Sequence, residues 1–367
     1  MVDWTSSMQQ YFEYYEVDPG TWRDVRKLNN IISCSISRDS EADTLGSASF
    51  ETDELFGECY IRVYLVTVQN GVTEKHPLGT FLAQTPNTNF DGKKRSISID
   101  AYTPLIELKE NQTPTGYFTR KYDPDDHAFT TLDEAYLLVK EHVRAPVNNP
   151  SISAVGDPYN GSTLRSDFIA EPNETWLKYI TALLLNATHT FALDGMGCIS
   201  FTPIQDLDTL APRWTYDDGN SSILYPDVSI THDLFGIPNI VEVTHSTALG
   251  SRTERAENSD PNSPISTISR GRDIIHKVTN PQELSDWPSS SEIKIYANKL
   301  LKSLSTLQCT VTYSHGYCPV KLGDCVRLNY ERAGLIDVKA KVISQSIKCS
   351  AGCQVQEKAV FHIKLWR

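Results

Sequence analysis

The chain has 367 residues, with 34 lysines and arginines against 46 aspartates and glutamates, a formal net charge of −12 and 40% hydrophobic residues. That length exceeds one ordinary core, so two to four domains are expected. The acidic balance argues against a general binder of nucleic acid or of an anionic membrane surface, since either needs clustered lysine and arginine to meet phosphate.

The first twenty-five residues are aromatic-rich (Trp4, Tyr11, Phe12, Tyr14, Tyr15, Trp22) and are broken by the turn Asp18-Pro19-Gly20. From Asn29 the pattern switches to period two: Ile32, Cys34 and Ile36 alternate with serines. Ser47–Phe50, Cys59–Val66, Leu78–Gln84 and Ser96–Tyr102 continue it. Asn70-Gly71 and Asp91-Gly92 are hairpin turn signals, because both central positions of such a turn need positive φ. About five strands without a helix predict a small antiparallel sandwich or barrel. Within this segment, Asp39, Glu41, Asp43, Glu51, Asp53, Glu54 and Glu58 supply seven carboxylates with no lysine or arginine among them. The plain reading is a solvated loop rim; the sharper one is a wall that passes nucleic acid without holding it.

Near Asn111 the texture changes. Thr131 with Glu134 reads as a capping box opening a helix through Leu137, Leu138 and Val143. A Pro/Asn/Gly-rich loop follows from Pro146 to Asp167, then a helix from about Glu174 to Asn186 with Trp176, Ile180, Leu183 and Leu184 on one face. A hairpin turning at Asp194-Gly195 closes an α+β module near Pro212. From Trp214 a second β-rich region begins with Val228–Ile230 and Ile240–Val243. Residues 247–291 are polar and turn-rich, and Arg252, Arg255, Arg270 and Arg272 make them locally basic. Such a segment is either a contact surface for a neighbouring protein or a mobile loop. A helix then starts at Ser289–Ser291, carrying Ile293, Tyr296, Ala297, Leu300 and Leu304 on one face. Strands resume at Cys309–Tyr313, Cys325–Asn329, Val338–Ile347 and Val360–Leu365. Two β regions of similar size suggest a duplication, although no residue-level repeat links them in this reading.

No apolar run reaches a membrane span, and Met1-Val2-Asp3-Trp4 lacks the basic start and apolar stretch of a signal peptide. The expectation is a protein kept in the cytoplasm or leaving it within a larger object. The sequons at Asn111, Asn160, Asn173, Asn186 and Asn220 are then chance matches. Of the eight cysteines, Cys34, Cys59 and Cys198 are scattered and Cys309, Cys318, Cys325, Cys349 and Cys353 crowd towards the end of the chain: Cys318 and Cys325 flank a Leu-Gly-Asp turn, and Cys349 and Cys353 bracket Ser350-Ala351-Gly352. Four converging thiolates would suit zinc or an iron–sulfur cluster, although the spacing is not that of a zinc ribbon; structural thiols are the plainer reading. Asp123, Asp125, Asp126 and His127 form a short acidic cluster able to hold a divalent cation, or simply a turn before a helix. No nucleophile elbow, phosphate loop or zincin helix is present, and His142, His245, His276 and His315 fall in no triad pattern, so no enzyme is expected.

Several stretches resemble one family. The run Trp22-Arg23-Asp24 to Ser33-Cys34-Ser35-Ile36-Ser37-Arg38, with Asp43-Thr44-Leu45-Gly46-Ser47-Ala48-Ser49-Phe50, is similar to the start of hub proteins of bacteriophage tail tips and baseplates. So are Asp194-Gly195-Met196-Gly197-Cys198 through Ile204, and Pro319-Val320-Lys321-Leu322-Gly323-Asp324-Cys325 through Leu328. The resemblance implies a mainly β fold with two tail-tube-like antiparallel β-barrels, an α+β domain between them and a small inserted domain. The corresponding boundaries are 1–112 (first barrel), 113–212 (α+β), 213–246 with 292–367 (second barrel) and 247–291 (inserted domain or arm). It further implies a homotrimer whose paired barrels mimic six-fold symmetry. The tail tube or a distal tail protein would lie above and a tip, spike or fibre protein below. A tape measure protein would be a further partner, DNA would pass without specific binding, and the protein would reside in the virion. The seven carboxylates above are its channel-lining candidates. Some members carry an iron–sulfur cluster on four late cysteines, to which Cys318, Cys325, Cys349 and Cys353 are loosely similar. The alternative is a two-barrel adhesin that recognises host carbohydrate through the N-terminal aromatics.

Overall fold

The computed structural model describes residues 2–54, 57–90, 92–93, 95–150, 163–219, 221–247, 250–281, 284 and 287–366. Most of the expected loop over 146–167, the sequons Asn160 and Asn220, and Asp91 of one hairpin turn lie outside the described residues.

The alternating N-terminal pattern folds as β1 (Gln9–Val17), β2 (Asp24–Leu28), β3 (Ile31–Asp39), β4 (Gly46–Thr52), β5 (Cys59–Gln69), β6 (Val72–Phe90) and β7 (Arg95–Tyr102), all antiparallel in the order β3-β4-β7-β6-β5-β1-β2. The pleat explains the alternation: Cys34 and Ile36 of β3, Ala48 and Phe50 of β4, and Ile97 and Ile99 of β7 enter one core while the intervening serines face out. Between β5 and β6, Gln69 pairs with Val72, and Asn70 (φ 53) and Gly71 (φ 78) make the expected two-residue turn. Strand β5 is apolar almost throughout because both its faces are covered. Ile61, Val63 and Leu65 join the β core, and Tyr60 joins the core of the helical module.

Three strands separate β1 from β4 in the sheet order, which in a flat sheet puts them about 19 Å apart. Yet Tyr14 of β1 and Phe50 of β4 meet with ring centroids at 6.2 Å. The sheet therefore wraps around its core. Among the described residues its ladder does not close, since β2 and β13 (Leu224–Asp233) are the unpaired ends of the path. The expected first barrel is a wrapped, open sheet. Of the N-terminal aromatics, Tyr14 and Trp22 are buried in it and Trp4 packs edge-on against His76 and Tyr317. Of these six only Tyr11 is largely exposed.

The module that follows contains α1 (Ile106–Glu110), β8 (Phe118–Thr119), α2 (Thr131–His142), β9 (Phe168–Ile169), α3 (Trp176–Asn186), β10 (His189–Leu193) and β11 (Ile199–Pro203). The capping box of α2 sits one residue earlier than expected: Thr130 Oγ1 accepts from Asp133 N at 3.1 Å, and Asp133 Oδ2 accepts from Thr130 N at 3.0 Å. Glu134 is drawn away to His127 at 2.6 Å. Helix α3 buries Trp176, Ile180, Leu183 and Leu184 as its periodicity predicts. Val17, Trp22, Tyr60 and Leu82 of the wrapped sheet belong to the same hydrophobic cluster as α2 and α3, so sheet and module share a core.

The rest of the chain forms β12 (Trp214–Asp217), β13, β14 (Ile240–Thr247), β15 (Gly250–Glu257), α4 (Thr267–Arg270), β16 (Ile275–Thr279), α5 (Ser290–Leu304), β17 (Thr306–Gly316), β18 (Cys325–Tyr330), β19 (Leu335–Lys348) and β20 (Gln354–Lys364). Strand β19 pairs antiparallel with β3, so the late strands extend the N-terminal ladder into one thirteen-stranded sheet. By contact density the chain divides into two compact units, residues 1–228 with 313–359 and residues 229–312 with 360–367. In the second unit the sheet β15-β14-β16 is covered by α5, whose Ile293, Ala297 and Leu301 pack on Val241, Val243 and Ala256. Its capping box, Ser289 with Glu292, falls where the serine cluster predicts.

Candidate functional site

The seven carboxylates, contiguous in sequence, separate in space. Asp39, Glu41 and Asp43 lie at the β3–β4 turn, Glu51 within β4, and Asp53, Glu54 and Glu58 in the β4–β5 connection. Seven-residue β4 holds the two loop groups roughly 20 Å apart. Two carboxylates are matched by cations that the local sequence does not reveal: Asp43 meets Lys109 at 2.8 Å, and Glu58 lies 3.6 Å from Arg144. Glu54 accepts from Asn30 Nδ2 at 2.6 Å and Glu51 from Ser33 Oγ at 3.2 Å. Asp39 turns inward on its loop to accept from Glu41 N at 2.8 Å.

Between the acidic loops lies a feature that the sequence reading passes over as ordinary polar alternation. Cross-strand register aligns Ser346, Ser37, Ser47 and Tyr102 in one row, Lys348, Ser35, Ser49 and Asp100 in the next, and Ser33, Glu51 and Ser98 in a third. The outer face of β19, β3, β4 and β7 is thus rich in serine hydroxyls, with Tyr102, Asp100 and Glu51 among them and Lys348 at its edge, around a depression of about 150 Å³. The signal was present as Ile-Ser-Cys-Ser-Ile-Ser beside Ser-Ala-Ser-Phe and Ser-Ile-Ser-Ile.

The Asp-Gly-Met-Gly passage is no two-residue turn. Leu193 pairs with Ile199, leaving a five-residue tip in which Asp194 Oδ1 accepts from Met196 N and Cys198 N, both at 2.9 Å. The tip is clamped to the wrapped sheet by Arg62, which is 1% exposed. Its guanidinium meets Asp24 at 2.6 Å, Thr80 Oγ1 at 2.9 Å, Trp22 O at 3.3 Å and Met196 O at 3.1 Å. Trp22 Nε1 also donates to Met196 O, at 2.7 Å, from a residue held at φ 57. A bulky side chain adopts that conformation only where its surroundings over-determine it. A Cβ at Gly195 would stand 2.0 Å from Pro77 O. Gly195→Ala is therefore expected to lower stability by about 1–3 kcal/mol, read as a lower denaturant midpoint.

The four late cysteines are not brought together. Cys349 N donates to Cys34 O at 3.1 Å, and Cys353 N donates to Ser350 O at 2.9 Å in the turn that follows. Cys318 instead contacts Tyr216 OH at 3.2 Å and His315 Nδ1 at 3.9 Å, and Cys325 leans on its neighbour's carbonyl, Val326 O. Among the described residues no group of three or more His, Cys, Asp or Glu side chains is arranged to hold a metal. Cys349 and Cys353 follow β19, whereas Cys318 precedes β18. Asp123, Asp125 and Asp126 act as a turn, with Asp125 N donating to Asp123 Oδ1 and Asp126 paired with Arg120. Of the basic residues around 252–272, Arg255 pairs with Asp273, Arg252 donates to Pro288 O, and Arg270 donates to Ile237 O and Leu234 O.

Cys318, His315 and Glu357 have the order of nucleophile, base and orienter, but at 2%, 0% and 0% exposure no substrate reaches them. They belong to a buried polar network: Glu357 accepts from Tyr313 OH and from Gln345 Nε2 (2.7 Å) and lies 3.5 Å from His315 Nε2, which meets Tyr216 OH at 3.1 Å. A cavity of about 740 Å³ lies nearby within the first unit, lined mainly by apolar groups such as Leu45, Leu78, Phe81, Leu322 and Ile343. Arg38 on its wall is already held by Gln345 Oε1 and Leu78 O. Among the described residues no helix is long and apolar enough to cross a membrane.

The fold built from the wrapped β sheet, the helical module clamped to it by a hairpin tip and the late run of strands continuing the same ladder is similar to that of solved phage tail proteins. The chain is similar in structure to the tail protein from Neisseria meningitidis MC58, with a TM-score of 0.61 and 14% identity over 96% of this chain and 97% of that one. It is likewise similar to the prophage MuSo2 43 kDa tail protein from Shewanella oneidensis, with a TM-score of 0.62 and 13% identity over 95% and 98%. A chain of the Francisella PdpA–VgrG complex gives a TM-score of 0.55 at 10% identity, covering 97% of this chain and 58% of that chain. No protein-family profile and no curated protein matches the sequence.

Proposed function

We propose that this chain is a structural virion protein, a trimeric tail hub that adapts a six-fold tail tube to a three-fold tip and surrounds the path of the DNA. The observation that supports this most is the end-to-end fold likeness to two phage tail proteins, each covered at 97–98% of its length. The internal build agrees with it: β1–β7 and the late strands β12 and β17–β20 are two β systems meeting edge to edge at β3 and β19. Three chains with two such systems each present six near-equivalent elements.

The conduit wall in this reading is the serine face with its flanking carboxylates. With Lys348 at the edge of the serine face and Lys109 and Arg144 already matched by Asp43 and Glu58, such a wall offers duplex phosphates few cations to exchange for counterions, so DNA slides through without being held. A tube or distal tail protein above, a tip, spike or fibre protein below and a tape measure protein are the partners the reading requires. The zinc or iron–sulfur site has no arranged ligand set to support it, and the reading includes neither.

Light scattering and negative-stain imaging test the assembly: the expected particle has three times the 41.1 kDa chain mass and an open centre. A monomer at all concentrations would refute the hub. A second measurement tests the wall. The triple variant Asp53→Lys, Glu54→Lys, Glu58→Lys is expected to retain duplex DNA at about 50 mM salt and release it by about 200 mM, as counterion release dictates. The natural chain should retain none in either buffer.

A further inference from the structure

We propose that Cys34 and Cys349 are a redox pair that closes into a disulfide when the protein meets a small disulfide oxidant, joining β3 covalently to the turn between β19 and β20. This goes beyond the hub reading and does not depend on it.

The register carries the argument. Strands β3 and β19 pair Ile36 with Ile347 and Ser35 with Lys348. One further step places Cys34 opposite Cys349, and Cys349 N donates to Cys34 O at 3.1 Å, so the ladder does continue that far. Directly opposed residues of an antiparallel pair have Cα atoms about 4.5–5.5 Å apart, within the roughly 4.4–6.8 Å that a disulfide spans. Opposed side chains also leave the sheet on the same face. Cys34 enters the β core beside Ile36 and Phe50, and Cys349 packs against the same core, so both side chains leave the ladder towards one side. Cys353 lies near Cys349 but occupies the turn itself, at φ 39 with its N–H on Ser350 O at 2.9 Å, and no ladder register sets it opposite Cys34.

Exposure orders the steps. Cys349 is partly exposed and Cys34 is buried at 6%. Cys349, whose thiol is pushed well above the ordinary thiol range by its neighbour Cys34 and by burial, first gives up its proton to solvent; the thiolate then attacks one sulfur of the oxidant, breaking its S–S bond and releasing one thiol, so closure is faster at alkaline pH. Cys34, deprotonated, then attacks the mixed disulfide at the Cys349 sulfur and expels the second thiol. The protein loses two protons and two electrons, and the oxidant leaves as two thiols. The bond closes a loop of more than three hundred residues, from 34 to 349, the kind of closure that restricts an unfolded chain most.

The test incubates the reduced full-length chain with oxidised glutathione, blocks remaining thiols by alkylation, and measures intact mass and non-reducing peptide maps. The expected product lacks two hydrogens, takes up two fewer alkyl groups and links the Cys34 peptide to the Cys349 peptide. Its melting temperature should rise by roughly 10 °C, reversed by reductant. Cys353→Ser should keep the link, while Cys34→Ser and Cys349→Ser should each abolish it. A stable glutathione adduct at Cys349, a Cys349–Cys353 link, or full alkylation of Cys34 in the folded protein would overturn the proposal.

Discussion

Replacing Arg62 with alanine is expected to lower the free energy of unfolding by about 3–5 kcal/mol, because one partner of a buried ion pair disappears while the groups it satisfied remain. Arg62 stands on β5 in a strand otherwise built for packing, and every nitrogen of its guanidinium has an acceptor. Without it, the Asp24 carboxylate keeps only Tyr64 OH, at 2.8 Å. Met196 O keeps only the Trp22 indole, and Trp22 O loses its side-chain donor. Asp24→Asn should cost less, about 1–3 kcal/mol, because the amide oxygen can still accept from Arg62 while its NH2 takes the place of the oxygen that meets Tyr64 OH and can donate to that hydroxyl. Urea unfolding of the three proteins measures this. Equal losses for the two variants would mean that the carboxylate, and not the two carbonyl contacts, accounts for the clamp.

The second large effect is expected at Glu357. Glu357→Ala removes the acceptor for Tyr313 OH and Gln345 Nε2 and the only carboxylate within 4 Å of the buried His315 ring among the described residues. The loss should again be about 3–5 kcal/mol. A pH signature separates this network from simple packing. Burial opposes charge on His315, but hydrogen bonds to Cys318 and Glu357 and the attraction of Glu357 outweigh it and raise its pKa to about 10. The folded state thus keeps a proton that the unfolded chain releases near 6.5. The stabilisation is complete below that value and erodes as the pH rises towards 10. Between pH 7 and 8.5 the unfolding free energy should fall by about 1.4 kcal/mol per pH unit. His315→Gln should flatten that slope; an unchanged slope in the variant would remove His315 from the explanation.

How much of this was legible in the chain depends on the range of the interaction. The β texture, the Asn70-Gly71 turn, the buried face of α3 and the cap of α5 all follow from neighbours a few residues apart, and all appear where periodicity and turn chemistry place them. Thr130 and Thr131 both stand three residues before an acid, and only the distant His127, by taking Glu134, decides between them. The acidic run looks like one feature because sequence has a single dimension, whereas β4 is long enough to carry its halves to opposite ends of a hairpin. Arg62 reads as one polar residue in an apolar strand, since its partners lie 38 and 134 residues away. The cysteines fail as a metal set for the same reason: spacing shows which thiols are close in the chain, not that Cys349 has its register partner at Cys34.

The clamp also bears on how the protein is made. A ribosome delivers residue 62 long before residue 196, at a few to some twenty residues per second, so the nascent N-terminal sheet waits several seconds with a cation whose final acceptor does not yet exist. During that interval Arg62 has Asp24, Thr80 and the Trp22 carbonyl to hold it, and the face that will receive the hairpin is open to water. Completion of the first β system is therefore tied to emergence of the helical module, and a stall in translation between them would leave an exposed, half-satisfied surface for chaperones to cover.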